Sequence, residues 1–397
     1  MTGFAITIVA AWLLTAAVAS AGVIDYCRRL RRVAPATDSP AAVVLVAVKG
    51  AGARLSRFLV ALLAQDYPHY RIVFAVESAT DPAFAVLEPL ASSRGDRIEL
   101  IVAGNAIGRA QKVQNWRAAL GALRATDRVV VFADADVEPA AGWLRALVRP
   151  IALGRAVSSG YRWQVPEDLR LPSMVAALAD MSIATAGRDR RLNLCWGGST
   201  AIERRLLDRL DLPRQWAGVA TEDLVLTRAL RRARVPIYAA AQVLVPSPSS
   251  YSWRSLFAFG RRQYMLVRFY APRHWLLAGW TLCVPVIGAV LAVEAVCTGS
   301  LAAALCLGAV ILLRVLRHGL RLSIARRVLP REIAETAAPV FRFGWWAWPL
   351  VHIVHTAVFL GSLWGREFEW AGIRYRVWRP EEVAILSRPA EGSFRRT

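Results

Sequence analysis

A chain of 397 residues that is 56% hydrophobic, with a mean hydropathy of +0.37, is more apolar than a soluble globular fold requires and points to a membrane protein. Its formal net charge of +21 is carried almost wholly by arginine, since Lys49 and Lys112 are the only lysines, and the apolar spans assign that charge to an anionic membrane surface rather than to nucleic acid. The five cysteines form no Cys-x-x-Cys pair, which excludes a disulfide framework or a zinc site as the organising feature.

Residues 3–24 form an apolar run long enough to span a bilayer, and Arg28, Arg29, Arg31 and Arg32 follow it directly. The positive-inside rule places these arginines in the cytoplasm and the N-terminus outside; because the charge follows the apolar run, the segment reads as a retained anchor. The anchor and its basic flank occupy residues 1–34, and a short linker at 35–40 leads into an α/β pattern. Residues 43–48 make a buried-strand run ending at Lys49-Gly50. Leu55, Phe58, Leu59, Leu62 and Leu63 mark an amphipathic helix that Tyr67-Pro68 stops. Strands at 72–76 and 98–102 are separated by helix-length sequence, which predicts a doubly wound, mostly parallel sheet.

The fourth strand, 129–134, ends in Asp134-Ala135-Asp136. A parallel strand delivers its terminal side chains to the sheet edge where ligands of open α/β sheets bind. Two carboxylates at this spacing suit one Mg2+ or Mn2+ that keeps positions free for substrate phosphate oxygens, although Asp is also an ordinary turn residue. Lys49 and Lys112 are candidates to face those oxygens as point charges. Glu77, at the end of the second strand, and Asp81 just beyond it are candidate ligand-facing carboxylates. Gly197-Gly198-Ser199 supplies small residues where backbone can approach a ligand closely, Gly198 being the candidate contact. Residues 199–202 are expected to start or approach a helix with Leu206 and Leu207 on its buried face. Another helix opens at Glu222-Asp223, where an acid can be merely a cap or dipole partner.

The globular part is expected to span 41–245 and to close at Pro246-Ser247-Pro248. A basic amphipathic segment at 246–274 follows, suited to the membrane interface, where its arginines can meet lipid phosphates. The membrane region, 275–364, holds a full span at 275–297, a shorter one at 300–316 backed by a basic stretch to Arg327, and a tryptophan-rich segment at 343–364. His352 and His355, one turn apart without a carboxylate, suit packing or acceptor contacts better than metal. Four crossings would place the basic tail, 365–397, outside; one C-terminal segment is therefore expected to be re-entrant or interfacial.

Lys49-Gly50, Gln65-Asp66-Tyr67-Pro68, Asp81-Pro82-Ala83, Gly108 through Asn115, Asp134-Ala135-Asp136, Gly197-Gly198-Ser199 and Glu222-Asp223 occur in the order found in family 2 and family 21 glycosyltransferases. Over residues 41–270 the chain resembles ceramide glucosyltransferase and its bacterial, hopanoid-associated relatives. The resemblance implies a GT-A fold and an inverting transfer of a sugar from a UDP-sugar donor to a lipid acceptor. It implies a metal at Asp134 and Asp136, donor contacts that include Glu222, and Asp223 as the base that deprotonates the acceptor hydroxyl. Either Glu77 or Asp81 fills the first-aspartate role. Similar enzymes carry Gln-x-x-Arg-Trp in the amphipathic segment; here Arg261-Arg262-Gln263 is the nearest match, and Tyr264 stands for the tryptophan. A processive polysaccharide synthase and a non-catalytic membrane scaffold are the alternatives. Few C-terminal spans count against the first, and the intact Asp134, Asp136 and Asp223 against the second.

Overall fold

The computed structural model describes residues 2–31, 38–186 and 192–389. Arg32, residues 35–37 of the expected linker and residues 390–397 of the tail lie outside the described residues. The long helix α1 (Gly3–Arg31) precedes a βα alternation: β1 (Ala42–Ala47), α2 (Ala53–Leu63), β2 (Tyr70–Val76), α3 (Pro82–Ser93), β3 (Ile98–Val102), α4 (Gln111–Leu120), β4 (Val129–Asp134) and α5 (Trp143–Ala152). The second half adds β5 (Val157–Pro166), α6 (Leu171–Ala184), β6 (Ser199–Glu203), α7 (Arg204–Leu210), α8 (Leu212–Gln215), α9 (Glu222–Arg232) and β7 (Tyr238–Ser249).

These strands form one sheet in the order β3-β2-β1-β4-β6-β5-β7. The pairs β1·β2, β1·β4, β2·β3 and β5·β7 are parallel, and only β6 runs against its neighbours. Residues 199–202 approach a helix rather than start one: they are strand, paired with residues 130–133 of β4, and the helix burying Leu206 and Leu207 starts at Arg204. The pairing explains this, because this segment fills the space between two buried strands. Its reversal also matters for the site, since it brings the start of β6 beside the end of β4, with Ala133 opposite Ser199.

Strand alternation divides the core into two layers. Val43, Leu45, Val73, Val130 and Phe132 face α4 and α7 through α9, where Trp116 and Trp216 pack on Phe132 with ring centroids 4.7 and 6.0 Å away. Val44, Val46, Phe74 and Val131 face α2, α3 and α5, meeting Phe58, Leu62, Leu87 and Leu144. Residues on both faces are covered, which is why these strands read as continuous apolar runs.

After β7 come α10 (Trp253–Tyr270), α11 (Pro272–Cys297), α12 (Leu301–Val328), α13 (Arg331–Thr336), α14 (Ala338–Phe343) and α15 (Trp348–Leu360). Among the described residues α1, α11 and α12 are the helices long and apolar enough to cross a membrane. The span expected at 300–316 and its basic extension are one continuous helix. At 1.5 Å per residue, α15 reaches only about 20 Å, short of a hydrocarbon core of about 30 Å. Three crossings by these helices would put the sheet and the residues after α12 on one side; Tyr26 at the end of α1 donates to the Ala241 carbonyl of β7 at 2.7 Å.

The tail is structured. β8 (Glu367–Trp370), β9 (Ile373–Arg379) and β10 (Glu382–Ser387) form an antiparallel sheet whose Phe368, Tyr375, Val377 and Val383 enter the Trp216 layer. The arginines of α10 are largely spoken for: Arg261 donates to the carbonyls of Gly361, Trp364 and Glu367, Arg268 to those of Ser362, Leu363 and Gly365, and Arg262 to that of Glu369. These bonds fasten α10 to the turn leading into β8, in place of the lipid phosphates anticipated for Arg261 and Arg268.

Trp216 is fully buried between α4, α9 and the tail sheet. Trp216→Ala should cost about 3–5 kcal/mol, as expected for truncating a large aromatic in a packed core. Equilibrium unfolding of the detergent-solubilised variant, followed by near-UV circular dichroism, measures this, and a loss under 1 kcal/mol would contradict the assigned packing.

Candidate active site

The parallel register brings the ends of β1, β2 and β4 to one edge, with Ala47 opposite both Ala75 and Asp134. Lys49, Glu77 and Asp134 therefore emerge side by side. The start of β6 and the N-terminus of α9 complete the rim with Gly197-Gly198 and Glu222-Asp223.

Lys112, in the first turn of α4, reaches across this edge. Its Nζ lies 2.6 Å from Asp134 Oδ1 and 2.8 Å from Glu222 Oε1, and 5.0 Å from the centre of the Trp116 ring. Burial alone would favour the neutral amine, but Asp134, Glu222 and Asp223 outweigh it and raise the ammonium above its ordinary value. Glu222 is buried, and burial, reinforced by Asp223 and opposed by Lys112, pushes its carboxyl up to about 7. Asp136 is open to the cavity yet recessed within protein; desolvation and the charge of Asp134 raise its carboxyl.

Asp223 is held by three donors. Its Oδ1 accepts from Thr221 Oγ1 at 2.6 Å and from the Leu224 N–H at 2.7 Å, and its Oδ2 from the Gly197 N–H at 3.2 Å. A second lone pair on Oδ2 stays available to a substrate hydroxyl. Gly197 is required by space, because a Cβ there would come within 2.7 Å of Glu222 Oε1; at Gly198 a Cβ would run into the Trp196 indole. Packing against protein thus accounts for these glycines before any sugar is considered.

The second cluster lies at the ends of β1 and β2. Lys49 pairs with Glu77 and lies 3.8 Å from Asp81 Oδ2. Asp81 caps α3 through Ala83 N–H at 2.9 Å and also accepts from Gly50 N–H at 2.8 Å, fixing Gly50 in the left-handed region at φ 75°. Glu77 has a second cation, Arg388, whose guanidinium also donates to the Ala106 carbonyl at 2.9 Å. Sequence reasoning missed Arg388. The two residues are far apart in the chain, and no motif marks the tail sheet that delivers it.

Other motif residues position rather than touch the edge. Gln65 donates to the carbonyls of Ala61 and Ala140 and accepts from Leu144 N–H, tying α2 to α5. Asn115 donates to the carbonyls of Val48 and Ala75, closing the ends of β1 and β2 at 3.1 Å each. Arg262 and Gln263 line the cavity, whereas Arg261 is turned to the α15–β8 connection. Burial and the neighbouring Arg162 lower the Arg262 guanidinium.

The cavity itself is continuous and has a volume of about 2840 Å³. Asp134, Asp136, Glu222 and Asp223 line one end; Trp12 of α1 and Pro285 and Val290 of α11 line the other. Between them stand Tyr264 and His355, joined by a hydrogen bond of 2.5 Å, while His352 contacts the Leu282 carbonyl at 3.0 Å.

Comparison with known proteins agrees with this architecture. The profile described as Glycosyl transferase family 21 matches residues 5–383. Among solved structures, a mannosyltransferase from Pyrobaculum calidifontis, in complex with GDP-Man and Mn2+, is 17% identical, with a TM-score of 0.50 over 90% of this chain and 99% of that one. Glucosyl-3-phosphoglycerate synthase from Mycobacterium tuberculosis is 16% identical over 58% of this chain and 79% of that one, with a TM-score of 0.37. No curated protein matches the sequence significantly. The fold is GT-A, a mixed and mostly parallel sheet flanked by long apolar helices.

A carboxyl raised from 4.5 to about 7 binds its proton more tightly in the folded state, so Glu222 contributes stability below about pH 4.5 that is lost as pH rises through about 7. Glu222→Gln should abolish that part of the decline. Thermal unfolding between pH 5 and 8 would show it as a melting-temperature gain that grows with pH; a gain confined to acid would contradict the assignment.

Proposed function

The chain belongs to glycosyl transferase family 21, and on that premise we propose that it transfers a hexose from a UDP-sugar to a hydroxyl of a membrane lipid, with inversion at the anomeric carbon. It is a glycosyltransferase that uses a nucleotide sugar; the acceptor is our inference. The observation that carries it is the single cavity running from the acidic sheet edge into the apolar helices. A donor is water-soluble and needs only the first end. The second end is built for acyl or polycyclic chains, and it places a lipid headgroup between them.

In this reading Asp223 takes the proton from the acceptor hydroxyl through the free lone pair of Oδ2, while Thr221, Leu224 and Gly197 hold its carboxylate in place. Arg262 and Lys112 face the diphosphate, and Tyr264 and His355 shape the passage to the acceptor. By the resemblance to enzymes with a first aspartate in the uracil pocket, we take Glu77 or Asp81 to meet the uracil. Glu77 is now matched with Lys49 and Arg388, so the segment just after β10 would close over that pocket.

Asp134 and Asp136 fit a Mg2+ or Mn2+ ion. They offer hard oxygen donors, and no third His, Cys, Asp or Glu joins them among the described residues, which leaves positions for phosphate oxygens and water. Charge argues the same way: Asp134, Asp136 and Asp223 face one ammonium, Lys112, so a diphosphate would enter an already anionic edge. When bound, the cation supplies the positive charge that leaving diphosphate requires. The arginines at the ends of α1 (Arg28, Arg29, Arg31) and α12 (Arg326, Arg327) support a cytoplasmic location for this side, where nucleotide sugars are.

Membranes incubated with labelled UDP-glucose, UDP-galactose and UDP-N-acetylglucosamine, followed by mass spectrometry of the lipids, test the reading; label recovered only in polymer or in free sugar would reject it. Asp134→Asn should weaken UDP-sugar binding and chelation should abolish transfer, so full turnover in excess EDTA would remove the metal from the scheme. Asp223→Asn should lower transfer by roughly two to four orders of magnitude while leaving UDP affinity nearly unchanged. The amide also sets one NH2 against a donor now bonded to the carboxylate, so a modest stability loss should accompany it. Retained transfer would reduce Asp223 to a helix-start residue.

A further inference from the structure

The helix end of the cavity holds cations that the proposed reaction does not use. Arg314, Arg317 and Arg321 of α12 stand at i, i+3 and i+7, hence on one face, and all three line the cavity. Arg321 is 8% exposed and donates through Nε to Thr185 Oγ1 at 3.0 Å. The Nε groups of Arg314 and Arg317 are buried without a hydrogen-bond partner among the described residues, and the Arg314 guanidinium lies 4.9 Å over the Trp348 ring. His318, between them, contacts the Phe341 carbonyl at 2.9 Å.

No carboxylate among the described residues pairs with this row. Elsewhere in the same cavity Arg162 has Asp180 at 2.8 Å, and at the sheet edge Lys112 has Asp134 and Glu222. Arginines that only meet bulk lipid at a helix end point outward, as the exposed Arg326 and Arg327 do. The row points inward instead. Buried cations left without a counter-charge are costly, and several guanidinium forks on one face match the oxygens of a phosphate. Apolar wall from Leu282, Pro285 and Val290 continues beyond them.

We propose that Arg314, Arg317 and Arg321 hold the phosphate of an anionic lipid headgroup in the cavity, so that the acceptor is a phosphate-bearing lipid with a free hydroxyl. This rests on the reading of the cavity as the acceptor site. The phosphate is fixed by the arginine row, the chains lie among α1, α11 and α15, and the hydroxyl is presented toward Asp223. A neutral acceptor would leave the row unmatched.

The full chain, purified in detergent, is mixed with phosphatidylcholine vesicles carrying either phosphatidylglycerol or diacylglycerol, and retained lipid is counted by native mass spectrometry. The wild type should retain phosphatidylglycerol over diacylglycerol by about ten- to a hundredfold, the size expected of charge-assisted bonds, and R314Q/R317Q should erase the preference. R314K/R317K, which keeps the charge but not the fork, should fall between. Millimolar inorganic phosphate should not displace the lipid. Equal retention of both lipids by the wild type, an unchanged preference in R314Q/R317Q, or saturable phosphate binding that expels the lipid would each overturn the proposal. Sugar transfer to diacylglycerol without a retention preference would sink this inference and leave the transferase reading standing. A retained preference with no transfer to any lipid would support the headgroup site and count against that reading.

Discussion

One ammonium organises the catalytic edge. Lys112 bridges Asp134, at the end of β4, and Glu222, at the start of α9, with Asp223 close enough to add to the field. At an effective dielectric near 20, two like charges 4 Å apart repel by about 4 kcal/mol, so these carboxylates could not share a rim without a cation among them. The N-terminus of α9 adds a partial positive charge of its own. Everything that presents Lys112 is therefore structural support for the site. Asn115, one turn along α4, closes the ends of β1 and β2, and Gln111 donates to Asn115 Oδ1 at 2.9 Å while its Oε1 accepts from Ala106 N–H.

What could be read from the sequence follows the physics of burial. β1, β2 and β4 are covered on both faces, so each is an uninterrupted apolar run, and the polar residues that gather where they end were legible with them. β5 and β7 are largely but less uniformly buried, and β5 carries Ser158, Ser159, Gly160 and Arg162, and β7 Pro246 and Pro248, so no period survives to announce them. Pro246 and Pro248 are tolerated because β7 is the edge strand of the sheet. β6 is five residues long and runs straight into a helix, which is why its leading residues resembled a helix start.

The tail shows the opposite failure. Glu367 and Glu369 alternate along β8, and Arg374 and Arg376 along β9, as do the buried Phe368, Tyr375 and Val377, yet the segment looks like a charged tail because strand periodicity over four to seven residues is a faint signal beside so many arginines. Its docking could not be inferred at all: Tyr375 receives the Gln111 N–H at 3.2 Å and Arg388 reaches Glu77, both across more than 250 residues of chain. Motif reading also blurs roles. Gln65, Asp81 and Asn115 sit within the most telling motifs, but Gln65, the Asn115 amide N–H groups and Asp81 Oδ1 bond to backbone, leaving Asp81 Oδ2 to face Lys49, and only geometry separates these roles from those of Lys112 and Asp134.

The distribution of charge along the cavity is the last constraint. At the sheet edge Lys49, Lys112 and Arg388 each have an acid beside them and Arg262 is bonded only to the Glu369 carbonyl among the described partners, so an arriving diphosphate finds little positive charge beside a surplus of carboxylate. At the helix end the order is inverted, with arginines matched by no described acid. A single uncharged acceptor would satisfy neither end, whereas a donor that arrives with its own divalent cation suits the first and an anionic headgroup suits the second. On the proposed reading the two substrates would be sorted electrostatically before either reached Asp223: the donor's phosphates would gain from a cation held at the sheet edge, and the lipid's phosphate from the arginines. Only the uncharged parts of both, a sugar and a hydroxyl, are then left to meet in the stretch between.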